Sequence, residues 1–316
     1  MHVVFGAGSR ARALDELAAL GASDPVVITT PGRAASARQL GAPILALAQP
    51  QVPREVVDRA LDQLGDADAI LAFGGGTATG LGKALAHHRD LIFGAIPTTY
   101  AGSEMTDIWA VSHDGTKTTS RDPRVRPTLV LYDPELTQDL PLAITITSAL
   151  NAMAHAVDAS FNDPDEALLD ECVQAVEGWV HALPGLVRSP RDLELRENAL
   201  RAAQRCGLAL HHGTMGLQHQ LAHVLGALGL PHADTHATLL PHVLHYNRAH
   251  SRLPIDAATL FALMQKIGAP TKLAKTFPMH DVIERTMRDP YPNPEPLDAA
   301  RLEALLQRAA EGRPPA

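Results

Sequence analysis

The chain has 316 residues, 46% of them hydrophobic and 20% charged, with a formal net charge of −8. That is a globular balance, enough for one large domain or two ordinary ones. The acidic excess argues against nucleic acid or an anionic membrane as partner. No apolar run approaches the roughly 18 residues of a membrane span, and MHVVFGAGSR lacks the basic start and apolar core of a secretory signal. Two cysteines, Cys172 and Cys206, make a disulfide framework unexpected, and a reducing cytoplasm fits.

In chain order, Val3-Val-Phe-Gly-Ala-Gly8 reads as a short strand entering a glycine turn, and Arg10 to Leu20 carries leucines at helical spacing. Pro25 to Thr30 is a second buried strand, Ile44 to Leu47 a third, and Val52 to Leu64 an amphipathic helix. Ala69-Ile-Leu-Ala-Phe73 is a strand running straight into Gly74-Gly-Gly76, with helix over Leu81 to His88. Leu91 to Ile96 and Leu129 to Tyr132 are further strands. Strand alternating with helix predicts a parallel sheet covered on both sides. After about residue 141 the pattern is helical, with helices expected over 147–160, 165–183, 192–228 and 256–267, so a boundary is placed near Pro141. The expected units are 1–140, an α/β nucleotide-binding domain, and 141–316, an all-α domain.

Glycines between a buried strand and a helix let the backbone approach an anion, which meets the free N–H groups and positive dipole end of that helix. Gly74, Gly75 and Gly76, with the hydroxyls of Thr77 and Thr79, are therefore a candidate phosphate cradle. The stretch is neither G-x-G-x-x-G nor a Walker loop, and a glycine triplet alone is equally compatible with a tight turn. If a dinucleotide binds, the end of the second strand meets its ribose; Thr30 and Arg33 stand there with no carboxylate, so NADPH is expected to be tolerated alongside NADH. Arg33 as a plain surface charge is the competing reading. The hydroxyl-rich loop Pro97-Thr-Thr-Tyr-Ala-Gly-Ser-Glu-Met-Thr106 follows a strand's carboxyl end, where ligands sit in open α/β sheets. Thr98 and Thr99 are assigned to the cofactor and Tyr100 to substrate. Lys117, Arg121 and Arg124 suit carboxylates, although a charged surface hairpin would look the same.

The stretch Thr147-Ser-Ala-Leu-Asn-Ala-Met-Ala-His-Ala-Val-Asp158 reads as a helix start, with Thr147 or Ser148 as cap. Asn151 and His155, one turn apart, leave the same face. Downstream lie His219 and His223 in GLQHQLAHVLG, and His232 and His236 in LPHADTH. A polar pair on one helix and a histidine group on others builds a site between helices. The nucleotide at the glycine loop is expected to aim its reactive end at this group.

The GGG loop, IPTTYAGSEMT, KTTSRDPRV, LYDPEL, TSALNAMAHAVDA and LPHADTH, in this order, resemble the iron-containing alcohol dehydrogenase superfamily and within it the maleylacetate reductases. The resemblance runs from about residue 3 to 310. It implies the dehydroquinate synthase-like fold, with an N-terminal nucleotide-binding α/β domain, a C-terminal helical domain, a cleft between them and a homodimer. In metal-dependent members an aspartate and three histidines hold the ion; the matching positions here are Asn151, His155, His219 and His232. Asparagine supplies a neutral, weaker ligand, so the implied enzyme is an NADH- or NADPH-dependent reductase of the C=C bond of maleylacetate or a related 2-ene-4-oxo acid, with Fe²⁺ or Zn²⁺ at those residues the less expected case. His155, His219, His232, His236 and Asn151 are then the catalytic group, and Lys117, Arg121 and Tyr100 meet a small anionic substrate. The alternatives are a metal-dependent alcohol dehydrogenase and a recruited non-redox relative such as a lyase, cyclase or dehydratase. Several departures from the family are visible: the chain starts almost at its first strand, the regions after Ala159 and from Arg248 to Leu260 look short, Gly82 replaces a more usual alanine, and Gln218 and Ala222 replace a histidine and a cysteine in the segment resembling HHKLCH.

Overall fold

A computed structural model describes residues 1–114, 116–162 and 165–316, with the side chains of Thr116 and Lys117 also outside the described ones. The chain divides into two compact units, 1–140 with 191–200, and 141–190 with 201–316.

In the first unit β1 (His2–Phe5) leads through a 3-10 turn into α1 (Ala13–Ala19), followed by β2 (Pro25–Ile28), the short α2 (Ala34–Ala37), β3 (Ile44–Leu45), α3 (Arg54–Gln63), β4 (Ala69–Gly74), α4 (Gly76–His88) and β5 (Ile92–Pro97). A hairpin, β6 (Ile108–His113) and β7 (Thr116–Arg121), precedes β8 (Leu129–Tyr132). Six strands pair in the order β1-β8-β5-β4-β2-β3, every pairing parallel, so all their carboxyl ends lie along one edge. Apart from exposed His2 at the start of β1, the strand sequences are apolar because both faces are covered. Alternation distributes them: Val26, Ile28, Ile70, Ala72 and Phe93 pack on one side with Val56, Val57 and Ala60 of α3 and Leu81, Ala84 and Leu85 of α4. Val27, Leu71, Phe73, Ile96, Leu129 and Leu131 pack on the other side with Ala13 and Leu17 of α1. The period of two along each strand is what sorts them. Gly82 has its reason here, since a Cβ would stand 2.8 Å from the Phe93 ring; α4 lies that close to the sheet.

The second unit is helical. It contains α5 (Leu142–Asn162) and α6 (Glu166–Arg188), the later turns of α7 (Leu193–His212), then α8 (Leu217–Ala227), α9 (His232–Tyr246), α10 (Ala257–Lys266), α11 (Met279–Arg288) and α12 (Ala299–Glu311). Leu217, Leu221, Leu225, Leu239, Val243, Val282, Leu302, Leu305 and Leu306 form one apolar cluster joining α8, α9, α11 and α12. Among the described residues no helix is long and apolar enough to cross a membrane. Cys172 and Cys206 are both buried thiols.

Several expected boundaries shift. The helix expected from Thr147 begins at Leu142, just after Pro141, so neither Thr147 nor Ser148 caps it. Their hydroxyls turn back to carbonyls of the preceding turn, Thr147 Oγ1 to Ala143 O at 3.0 Å and Ser148 Oγ to Ile144 O at 2.6 Å. The helix expected over 192–228 is two helices. Gly213 closes α7 on Ala209 O, and Gly216 opens α8. The helix after the glycine triplet starts at Gly76 rather than Leu81.

Candidate active site

In the first unit the glycine triplet is the junction of β4 and α4. Gly74 takes φ +151°, and a Cβ there would stand 2.9 Å from Ala78 Cβ; at Gly75 it would stand 2.7 Å from Thr99 Oγ1. Both positions therefore exclude side chains. Gly75 O accepts from Ala78 and Thr79 N–H, while the N–H groups of Gly76 and Thr77, in the first turn, have no carbonyl one turn behind them. Gly76 is exposed, and a Cβ on it would find only Ala101 Cβ at 3.8 Å and Ser103 Oγ at 3.9 Å. Ser103 Oγ is itself buried without a hydrogen-bond partner among the described residues. An open helix N-terminus facing an unsatisfied hydroxyl fits a phosphate group. Ser103 was missed from the sequence; its place in the hydroxyl-rich loop was the available signal.

The other expected cofactor residues divide. Thr77 and Thr99 are half-buried at this junction, whereas Thr79 and Thr98 are sealed beneath it, Thr98 N–H donating to Gly74 O at 3.0 Å. Thr30 and Arg33 lie just past the end of β2, and β2 pairs with β4, so they flank the same edge. The earlier turn at Gly6 and Gly8 is built differently. Gly6 N–H donates to Tyr132 O, while Gly8 N–H donates to Asp133 at 3.1 Å and Arg10 binds the same carboxylate at 2.7 Å. An internal acid occupies that turn.

The loop after β5 is pinned from below. Lys83 Nζ donates to Thr106 Oγ1 at 2.7 Å and Ile108 O at 2.8 Å; burial pushes the Lys83 pKa down to about 7. Buried Glu104 accepts from Tyr132 OH at 2.8 Å, and burial raises its pKa. Tyr100, expected at substrate, is instead fully buried, its hydroxyl accepting from the buried Arg196 at 2.9 Å; it holds the frame. Of the hairpin cations, the Lys117 side chain lies outside the described residues, Arg121 pairs with Asp107 at 2.8 Å, and Arg124 with Asp122 at 2.7 Å. Arg124, with help from His87, holds Asp122 well below the usual carboxylate range.

In the second unit three helices each present a pair one turn apart: Asn151 and His155 on α5, His219 and His223 on α8, His232 and His236 on α9. The rings converge, with centroids 5.1 Å apart for His155 and His219, 4.7 Å for His219 and His236, and 4.5 Å for His232 and His236. Asn151 Oδ1, His155 Nδ1, Gln218 Oε1, His219 Nε2 and His236 Nε2 are all buried without a partner among the described residues. Buried polar atoms are almost always satisfied, so this concentration marks a place shaped for something polar. Burial first, then the neighbouring imidazoles, pushes the pKa values of His155 and His236 well below the ordinary histidine value, which leaves both rings neutral near pH 7. Asp158, one turn beyond His155 on the same face and given no role from the sequence, is fully buried and accepts from His219 Nδ1 at 2.7 Å.

The donor set does not fit a metal ion as arranged. Among the described residues no three His, Cys, Asp or Glu side chains converge as ligands. Asn151 is neutral, and the carboxylate of the cluster, Asp158, is engaged with His219 and the backbone of α8.

A family profile described as iron-containing alcohol dehydrogenase matches residues 1–134, and one described as Fe-containing alcohol dehydrogenase family, C-terminal, matches residues 145–276. Maleylacetate reductase 1 of Cupriavidus pinatubonensis is 44% identical over 340 aligned residues, spanning 99% of this chain and 96% of its own. Maleylacetate reductase of Pseudomonas knackmussii is 39% identical, spanning 99% and 97%. The crystal structure of maleylacetate reductase from Agrobacterium tumefaciens matches with a TM-score of 0.95 and 38% identity, covering 99% of this chain and 97% of that one.

Proposed function

The chain belongs to the iron-containing alcohol dehydrogenase family and is an oxidoreductase, and from this we infer that it is a nicotinamide-dependent reductase of the C=C bond of maleylacetate or a related 2-ene-4-oxo acid. The comparisons do not favour the simple alcohol dehydrogenase or the non-redox relative. The observation that carries the reading is the buried group of unpartnered polar atoms on Asn151, His155, His219 and His236, which suits an oxyanion and a proton rather than an alkane.

The cofactor is NADH or NADPH, its phosphates on the N–H groups of Gly76 and Thr77 with Ser103 beside them. The lack of a carboxylate at the end of β2, and Arg33 nearby, leave room for the 2′-phosphate. When bound, the dihydronicotinamide supplies a hydride to the carbon β to the ketone. Negative charge then develops on the conjugated oxygen, and preorganised donors in a dry pocket stabilise it; His236, neutral and buried, is such a donor. A proton must reach the α-carbon, general-acid work that falls to His232, while the neutral rings of His155 and His219 line the path. Hydride and proton together saturate the bond and leave the ketone intact. The substrate is a dianion, and Lys117 and Arg121 are the candidate sources of matching charge.

Titration with NADH and with NADPH, followed by cofactor absorbance on adding maleylacetate, tests the reading. Saturable consumption of one reduced cofactor per substrate is expected. Failure of both cofactors to bind at about millimolar concentration, where a Kd corresponds to only ~4 kcal/mol, would end it.

A further inference from the structure

Resting on that reading of the histidine cluster, we propose that Asp158 and Gln218 lock the adjacent rings of His219 and His236 in opposite tautomers, so that one presents a bare nitrogen and the other an N–H donor to the same small space.

Both assignments follow from which atoms can donate. Asp158 Oδ2 accepts from the backbone N–H of Gly216 at 2.9 Å and of His219 at 3.0 Å, and its Oδ1 from Gln218 N–H at 3.3 Å. An oxygen surrounded by N–H donors is an acceptor toward its remaining partner. That partner is His219 Nδ1 at 2.7 Å, so Nδ1 carries a proton, and in the neutral ring Nε2 is bare. Nε2 is the buried atom with no partner.

Gln218 does the opposite for His236. Its Nε2 lies 2.9 Å from His236 O and 3.3 Å from His236 Nδ1. The backbone carbonyl accepts only, so the amide nitrogen, not the oxygen, faces His236. Its second hydrogen then points at Nδ1, which must accept, and the ring proton is placed on Nε2. His236 Nε2 is likewise buried without a partner. With the two ring centroids 4.7 Å apart, a bound ketone would meet one donor and one acceptor. His236 can support a developing oxyanion; His219 repels one, and instead takes the hydrogen of a water or hydroxyl in the proton path. Asp158 and Gln218 are thus positioning residues. Gln218 stands where the family resemblance places a histidine.

The test is long-range ¹H–¹⁵N spectroscopy of the full chain labelled at its histidine ring nitrogens, with His219→Gln and His236→Gln used to assign the two rings. We expect His219 in the Nδ1–H form, the less common tautomer of free imidazole, and His236 in the Nε2–H form. Gln218→Glu, whose carboxylate accepts from Nδ1–H, is expected to reverse His236. Asp158→Asn is expected to weaken the Nδ1–H population of His219, and Asp158→Glu to retain it. Each tautomer change should lower kcat about 10-fold or more, the scale of losing an outer-shell partner, with KM within about threefold. A wild-type spectrum with His219 protonated at Nε2, or with both rings in the same form, overturns the proposal even if no variant folds. The spectrum needs no substrate: the expected tautomers in a protein that ignores maleylacetate would refute the functional reading and leave this one standing.

Discussion

Gly76 offers a test of cofactor placement that does not disturb the fold. It is exposed, its backbone is not in the left-handed region, and a Cβ there meets nothing nearer than 3.8 Å. Gly76→Asp therefore adds a carboxylate at the first turn of α4 without a clash, and a negative charge at that end favours the helix itself by about 0.3–1 kcal/mol. For a pyrophosphate on the same turn the effect is the reverse. Two like charges about 5 Å apart at an effective dielectric of ~40, suited to an open site, repel by about 1.7 kcal/mol, and the pyrophosphate carries two. The total is about 2–3 kcal/mol after screening by salt, or roughly 30–150-fold in Kd. Gly76→Asn has nearly the same shape without the charge, so the ratio between the two variants isolates the electrostatic part. The assay is NADH binding followed by fluorescence, with thermal melts as the control for folding. Unchanged or higher melting temperature for the aspartate variant, with binding weakened far more than in the asparagine variant, is expected. Equal affinities for NADH in both variants would place the phosphates elsewhere.

Two further outcomes follow from the second unit. Dialysis against a chelator is expected to leave reductase activity within about twofold, while Asn151→Asp, which returns a carboxylate to the ligand position of metal-dependent relatives, is expected to raise the metal content of purified protein; cofactor absorbance reads the first and elemental analysis the second, and loss of activity on dialysis, restored by added metal, would refute the first. His242 is buried, neither ring nitrogen has a partner among the described residues, and burial pushes its pKa down from 6.5 to about 4. A lowered histidine pKa gives stability that is complete above about pH 6.5 and drains away as pH falls towards 4, amounting to about 3 kcal/mol. His242→Leu should cost little at pH 7 and remove that slope, so denaturant melts of the two proteins should converge or cross between pH 7 and pH 4; parallel curves would refute it.

The sheet was legible because its strands are buried on both faces and announce themselves as short apolar runs, from Val3 to Leu131. Segments whose structure depends on packing read poorly. Gly76 to Gly80 has the composition of a loop, yet becomes helix because Ala78 and Leu81 are fully buried against the sheet. In α9 four histidines and Pro241 interrupt the apolar period, and the helix went unread although Leu239, Leu240 and Val243 are in the core. At the site, one-turn spacing was enough to bring Asn151 and His155 to one face. What spacing could not reveal was Asp158: an acid within an alanine-rich run can be a solvated charge as readily as a buried one. Its role depends on the first turn of α8 lying against it, a meeting of residues about 60 positions apart in sequence.

The carboxylate of Asp133 seated in the first glycine turn has a consequence for recognition. Two turns of similar composition stand on one sheet edge, and both offer backbone N–H groups to a free diphosphate. By lending its own acid to Gly8 and Arg10, the protein competes with any outside anion there at an effective concentration no solute reaches. With that turn filled from within, an outside diphosphate is left the turn at Gly74 to Gly76, the phosphate site proposed above.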